Sequence, residues 1–199
     1  MTKYIAIGAS VCIAALLGGT YVLTNMPSNN VCAGTAIAGG AIGGPFRLVD
    51  PSGQTVTETD VITEPSIVYF GYTFCPDFCP IDNARNASAV DVLADRGYSA
   101  TPIFITVDPA RDTPEVMGGY IENFHPKMIG LSGSSEQVKE AAGAYRVVYS
   151  KADDDPEYYL VNHSVFSYFV TPEDGFVEFF RRDDTPEQVA DRIACFLDA

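Results

Sequence analysis

The apolar residues of this chain fall into one long unbroken run, two short unbroken runs and several periodic stretches. The long run comes first: Tyr4 to Met26 carry no charge and are mostly apolar. At about 1.5 Å per residue, some 20 helical residues cross a bilayer core roughly 30 Å thick. This predicts an N-terminal transmembrane helix, residues 1–26. Residues 27–44 are mostly Pro, Ser, Asn, Ala and Gly, with Gly39-Gly40 and Gly43-Gly44, the composition of a flexible linker. The remainder, residues 45–199, carries the pattern of a folded domain.

Within it, Phe46–Val49 and Gln54–Thr57 flank Pro51-Ser52-Gly53 and predict a small hairpin. The short unbroken runs, Ser66–Tyr72 and Pro102–Val107, predict buried central strands. Between them residues 80–96 show helical spacing, with Ala84, Ala87, Val90 and Leu93 or Ala94 on one face. Thr113-Pro114 opens a helix with proline in its favoured first position. Met128–Leu131 predicts a short strand, and Ser134-Ser135-Glu136-Gln137 has the capping-box form that starts a helix ending near Ala144. A strand is expected over Arg146–Tyr149, then a solvated loop at Asp153-Asp154-Asp155-Pro156. Val165–Val170 and Phe176–Arg181 flank Pro172-Glu173-Asp174-Gly175, a second hairpin, and Thr185-Pro186-Glu187-Gln188 caps a last helix to Leu197. This order implies an α/β domain: a mixed sheet, helices on both faces and a terminal hairpin.

Charge narrows the function. With 26 acidic against 12 basic residues the net charge is −14, which argues against nucleic acid, because phosphate binding needs basic surface. Lys3 precedes the long apolar run and no Lys or Arg follows until Arg47. The positive-inside bias therefore places the N-terminus in the cytoplasm and the domain outside. Cleavage as a signal peptide is the rival reading, since Ala36-Ile37-Ala38 has the A-x-A form, but that site lies well beyond the apolar run. Either way the domain is exported to a compartment where disulfides persist. Of five cysteines, Cys12 lies inside the apolar run and Cys75 and Cys79 form a local pair. Cys32 and Cys195 remain, either as a bridge clamping the ends of the domain or as two free thiols with Cys195 on a buried helix face.

The chemistry sits at Cys75 and Cys79, at the end of a strand pattern and the start of a helical one. Strand, turn and helix with two thiols at the turn is how a thioredoxin-type scaffold presents reactive cysteines. The spacing is Cys-x-x-x-Cys rather than Cys-x-x-Cys. Residues i and i+4 share a helix face, so both thiols are expected to point the same way, within disulfide reach and able to hold one metal ion. Pro76 and Pro80 are expected to make the helix start irregular and keep the first cysteine exposed. The helix N-terminus favours negative charge and should acidify at least one thiol. Two thiolates and an imidazole suit a soft ion such as Cu(I). The third ligand must come from the chain's two histidines. His125, in Asn-Phe-His-Pro, reads as a helix-end residue; His163, just before a buried strand, reads as the ligand.

The segment Tyr-Phe-Gly-Tyr-Thr-Phe-Cys-Pro-Asp-Phe-Cys-Pro at 69–80, Thr-Val-Asp-Pro-Ala-Arg-Asp-Thr-Pro at 106–114 and Tyr-Leu-Val-Asn-His-Ser at 159–164 resemble the Sco/SenC family in content and order. Phe74 and Asn162 depart from it, standing where many relatives have histidine and aspartate. The resemblance implies a thioredoxin-like fold behind a membrane anchor, with the soluble domain on the periplasmic side of a bacterial-type inner membrane or its intermembrane-space equivalent. It implies copper bound by Cys75, Cys79 and His163, and delivery of copper or reducing equivalents to the dinuclear copper centre of cytochrome c oxidase subunit II. An upstream periplasmic copper chaperone is a further possible partner. Asp77, Asp108 and Asn162 are candidates for supporting the ligands, and Arg111 beside Asp108 for support or docking. A thiol-disulfide oxidoreductase is the competing function. Such enzymes place an X-Pro bond ahead of the strand facing the dithiol, and this chain has His163-Ser164 there.

Overall fold

The computed structural model describes residues 42–198 except 153, 154, 156 and 157, all within the compact unit Cys32–Ala199. The expected membrane anchor, the linker up to residue 41 and Cys32 lie outside the described residues. Among the described residues no helix is long and apolar enough to cross a membrane.

A hairpin of β1 (Arg47–Val49) and β2 (Thr55–Thr57) leads through a single helical turn, α1 (Glu58–Val61), into β3 (Ser66–Gly71). Then follow α2 (Phe78–Asp95), β4 (Thr101–Thr106), α3 (Pro114–Ile121), β5 (Ile129–Leu131) and α4 (Ser135–Ala144). The last part holds β6 (Tyr149–Lys151), β7 (Val161–His163), β8 (Ser167–Thr171), β9 (Gly175–Phe180) and α5 (Pro186–Leu197). The main sheet has five strands in the order β5-β4-β3-β8-β9. The β3–β4 and β4–β5 pairs are parallel, the β3–β8 and β8–β9 pairs antiparallel. This is the mixed sheet expected. β6 and β7 form a separate antiparallel ribbon.

Both central strands are buried along their whole length, which is why they show runs rather than alternation. The pleat still sorts their side chains. Ile67 joins Ala89, Val90, Leu93, Phe169, Val189 and Ile193 under α2 and α5. Val68 and Phe70 face the other way, and the Phe70 ring lies 5.3 Å from that of Tyr145 beyond α4. Full burial of such a side chain contributes roughly 1.5–3 kcal/mol.

Three expectations need correction. The buried face of α2 does not include Ala84 or Ala94, which are exposed. It holds Asp82, Arg85 and Asn86 instead, and these are accommodated because Arg85 Nη2 and Asn86 Nδ2 donate to Ser167 Oγ on β8 at 2.7 and 2.9 Å. The strand expected over Arg146–Tyr149 starts only at Tyr149, because Arg146 (φ 56°) closes α4 in the left-handed region, with Val147 N–H donating to the Ala142 carbonyl at 2.8 Å. His163 does not merely precede a strand: it ends β7, opposite Tyr149 on β6.

Candidate metal centre

β3 ends at Gly71, the chain turns through Tyr72–Asp77, and α2 starts at Phe78. Cys75 therefore lies in the turn and only Cys79 in the helix, so the shared-face argument does not account for their proximity. The turn itself does. Cys75 N–H donates to the Tyr72 carbonyl at 3.3 Å, and Cys79 N–H, in the first turn of α2, donates to Cys75 Sγ at 3.3 Å. Cys75 occupies the place of a helix-capping side chain and satisfies one of the donors that every helix N-terminus leaves open. Its exposure is 8%, so it is buried rather than exposed as the two prolines suggested. Cys79 has no exposure at all.

His163 reaches the pair from β7. Its Nδ1 lies 2.9 Å from the Ser164 carbonyl oxygen. A carbonyl only accepts, so Nδ1 is the donor of this pair and Nε2 is the nitrogen turned towards the two sulfurs. Nε2 is 3.4 Å from Cys79 Sγ. The Tyr69 and Tyr72 rings meet the imidazole edge-on, with centroids 6.1 and 5.8 Å away. The ligating atoms of Cys75, Cys79 and His163 all lie within 4.8 Å of one another. Three donors about 2.0–2.3 Å from one ion stand roughly 3.5–4 Å apart, so this set closes on a metal with little movement. Two sulfurs and an imidazole nitrogen favour a soft ion.

The two thiols are not equivalent. The Cys75 thiol is held well below the usual thiol range, first by its hydrogen bond from Cys79, then by His163 and the backbone N–H groups of Cys79 and Asp77, against the opposing effect of burial. Cys79 is pushed up, first by sharing its proton with Cys75 and then by burial. A cleft of about 210 Å³ lined by Cys75, Phe78, Leu160 and His163, among others, opens onto the site.

The expected supporting residues separate. Asp77 is the N-cap residue of α2, its side chain making no capping bond, and its backbone N–H serves Cys75. Asn162 is exposed on β7, its register partner being Ser150 on β6, and its side chain alternates away from His163. Asp108 is buried and accepts from the Tyr159 hydroxyl at 2.6 Å and from Arg111 Nε at 2.5 Å. His125 lies away from the site, where Nδ1 accepts from Lys127 N–H at 3.0 Å and Nε2 stands 3.4 Å from Asp91. Cys195 is disulfide-bonded; its expected partner Cys32 is not among the described residues.

Sequence reasoning missed three residues that shape the site. A Cβ at Gly71 would stand 2.7 Å from Cys79 Sγ and 2.9 Å from the Phe104 ring, so only glycine leaves room for this thiol against β3. Asp112 is fully buried and accepts from Thr73 N–H at 3.0 Å, Thr73 Oγ1 at 2.6 Å and Thr106 Oγ1 at 2.6 Å, fixing the turn two residues before Cys75. Asp82 accepts from the Tyr69 hydroxyl at 3.0 Å beneath Cys79. A glycine closing a buried strand was a visible signal. Nothing in the local sequence paired Asp112 with Thr73, 39 positions away.

Comparison with known proteins follows the same lines. The family model SCO1/SenC matches residues 34–198. Protein SenC of Rhodobacter capsulatus is 47% identical over 100% of this chain and 92% of its own length. "Protein SCO1 homolog 1, mitochondrial" of Arabidopsis thaliana is 40% identical over 85% of this chain, which spans only 51% of that relative. Among solved structures, Arabidopsis thaliana ScoI with copper bound superposes with a TM-score of 0.76 at 40% identity, covering 80% of this chain and 100% of that one. Yeast Sco1 with copper bound gives a TM-score of 0.75 at 37% identity, covering 80% and 90%. The match of the family model over residues 34–198 and the 47% identity to protein SenC show that this chain, with its thioredoxin-like α/β fold, belongs to the SCO1/SenC family.

Proposed function

We propose that this chain is a copper chaperone, which binds one copper through Cys75, Cys79 and His163 and delivers it to the dinuclear copper site of cytochrome c oxidase subunit II during oxidase assembly. One observation carries the reading: two sulfurs and an imidazole nitrogen converge within 4.8 Å in a fold whose solved relatives hold copper. Copper is cargo here, and the protein is a transfer protein rather than an enzyme with turnover. Thiolates hold Cu(I) tightly, and release proceeds by exchange with acceptor thiolates at the mouth of the cleft. Exchange with a disulfide of the acceptor, which takes up the two electrons and two protons and becomes a dithiol, leaves a Cys75–Cys79 disulfide, removes both sulfur ligands and switches binding off.

Membrane anchoring through residues 1–26, with the domain on the periplasmic side of a bacterial-type inner membrane, is part of the same proposal. So is loading by an upstream periplasmic copper chaperone. A Cys32–Cys195 bridge belongs to it too, tested by electrophoresis with and without reductant after free thiols are blocked. A mobility change that Cys32→Ser abolishes is expected; no change on reduction would overturn the bridge in favour of two free thiols.

The inequality of the two thiols favours a second reading. A low-lying Cys75 thiolate beside a proton-holding Cys79 is suited to thiol-disulfide exchange, and the same pair could reduce the acceptor's cysteines before metal arrives. Copper stoichiometry of the reduced protein against its Cys75→Ser/Cys79→Ser double variant separates the readings. One copper per chain, lost in the variant, is the expected result. No copper, with facile reduction of a Cys75–Cys79 disulfide, leaves the exchange activity as the function.

A further inference from the structure

We propose that Arg111 is a positioning residue: it fixes the histidine ribbon against the cysteine turn and thereby sets the spacing of the three ligating atoms. The inference rests on reading Cys75, Cys79 and His163 as a copper site. Arg111 belongs to neither ligand-bearing segment. It comes from the loop between β4 and α3, and its guanidinium lies between the two.

On the cysteine side its Cζ stands 5.7 Å from the centre of the Tyr72 ring and 4.9 Å from that of Phe74, the residue before Cys75. On the histidine side it stands 3.6 Å from the centre of the Tyr159 ring, and Nη1 donates to the Tyr159 carbonyl at 2.9 Å. Tyr159 lies four residues before His163 and just ahead of β7. Asp108 closes the arrangement, since one carboxylate oxygen accepts from Arg111 Nε at 2.5 Å and the other from the Tyr159 hydroxyl at 2.6 Å. Asp108 is itself held at the end of β4, where its N–H donates to Thr106 Oγ1 at 2.8 Å.

A guanidinium suits this position physically. It is planar, so rings can meet its faces while its edge donates in a fixed fork. Nη2 is buried with no hydrogen-bond partner among the described residues. An unmet buried donor carries a desolvation cost, and the remaining contacts must outweigh that cost to keep the group in place. An arginine needed only by its own loop would be satisfied by Asp108, three residues away; the bond to Tyr159 spans 48 positions. The ribbon needs such an anchor. β6 and β7 stand apart from the five-stranded sheet, and a two-stranded ribbon is marginal by itself. Where Tyr159 is pinned determines where His163 stands relative to Cys79.

The experiment compares Arg111→Met, which keeps much of the volume but neither charge nor donors, with the parent 199-residue chain. Cu(I) affinity is expected to fall about tenfold or more, as when a group orienting a metal ligand is removed. In the metal-free protein, amide exchange over residues 159–163 is expected to quicken while β3 stays protected. In a His163→Ala background the same substitution should change affinity by no more than about twofold, because the arginine acts through that histidine. Arg111→Lys should not rescue, since an ammonium lacks the fork. Unchanged affinity and exchange in Arg111→Met, or an equal loss of affinity with and without His163, would overturn the proposal. If the parent itself binds no copper, the copper reading fails, and exchange in the metal-free protein alone decides whether Arg111 holds the ribbon. Should Arg111→Met not fold, Tyr159→Phe removes only the hydroxyl bond to Asp108 and should produce smaller changes in the same direction; no change would again overturn it.

Discussion

The two halves of the metal centre are built to different standards of rigidity. The cysteine half grows out of a fully buried strand of the sheet: β3 carries no exposed residue, Cys79 packs against Gly71, and the carboxylate of Asp112 ties Thr73 to Thr106. The histidine half hangs on a two-stranded ribbon outside that sheet, reached through Tyr159, Arg111 and Asp108. His163 itself is only half-buried. Under the proposed chaperone role, in which the site binds a metal and then surrenders it, this division is an advantage. The two thiols belong to the core of the domain, while the imidazole sits on a ribbon that is not part of the five-stranded sheet.

Substitutions can break this contrast from either side. The largest effect is expected from Asp112→Ala, which removes the acceptor of the part-buried Thr73 N–H and hydroxyl and of the buried Thr106 hydroxyl. A loss of about 3 kcal/mol in urea unfolding is expected. Gly71→Ala comes next: its methyl group meets Cys79 Sγ and the Phe104 ring below contact distance. Overpacking of this kind costs about 1–3 kcal/mol, and copper binding should fall with stability. Tyr159→Phe should cost only about 1 kcal/mol of stability, in keeping with one lost hydrogen bond.

His163→Ala sharpens the comparison most. Removing a half-buried ring should change stability by less than about 1 kcal/mol. Copper binding should nonetheless weaken, and the Cu(II) absorption should change. If affinity and spectrum were those of the parent, the ligand set would be wrong. His125→Ala should leave copper binding untouched, because that ring contacts Asp91 and Lys127 away from the site. If instead the histidine-side variants unfolded the protein as readily as Asp112→Ala, the two halves would be equally integral and the contrast would fail.

Much of this was legible in the chain. The continuous apolar runs at 66–72 and 102–107 marked the central strands, and Thr185, Ser134 and Thr113 marked three helix starts where the structure has caps. The cysteine pair and His163 were legible because soft donors at a strand–turn–helix junction have few structural uses. The ribbon was less so. Tyr149–Lys151 and Val161–His163 are three residues each, too short for a period to declare itself, and they pair through space rather than through a turn signal. The buried polar residues of α2 were not legible for a related reason: nothing local marks Asp82, Arg85 and Asn86 as buried until Tyr69 and Ser167 supply their partners.

Local chemistry therefore determined the elements and the donor atoms: apolar runs make strands, capping residues start helices, and thiols and imidazole bind soft metals wherever they meet. Tertiary structure alone decided that they meet. It placed His163 84 positions along the chain from Cys79 and 3.4 Å away in space, made Cys75 a cap rather than a helical residue, and put Arg111 between the two halves. Those outcomes depend on which strands pair and which loops they bring together, a property of the whole packed domain that no stretch of sequence contains by itself.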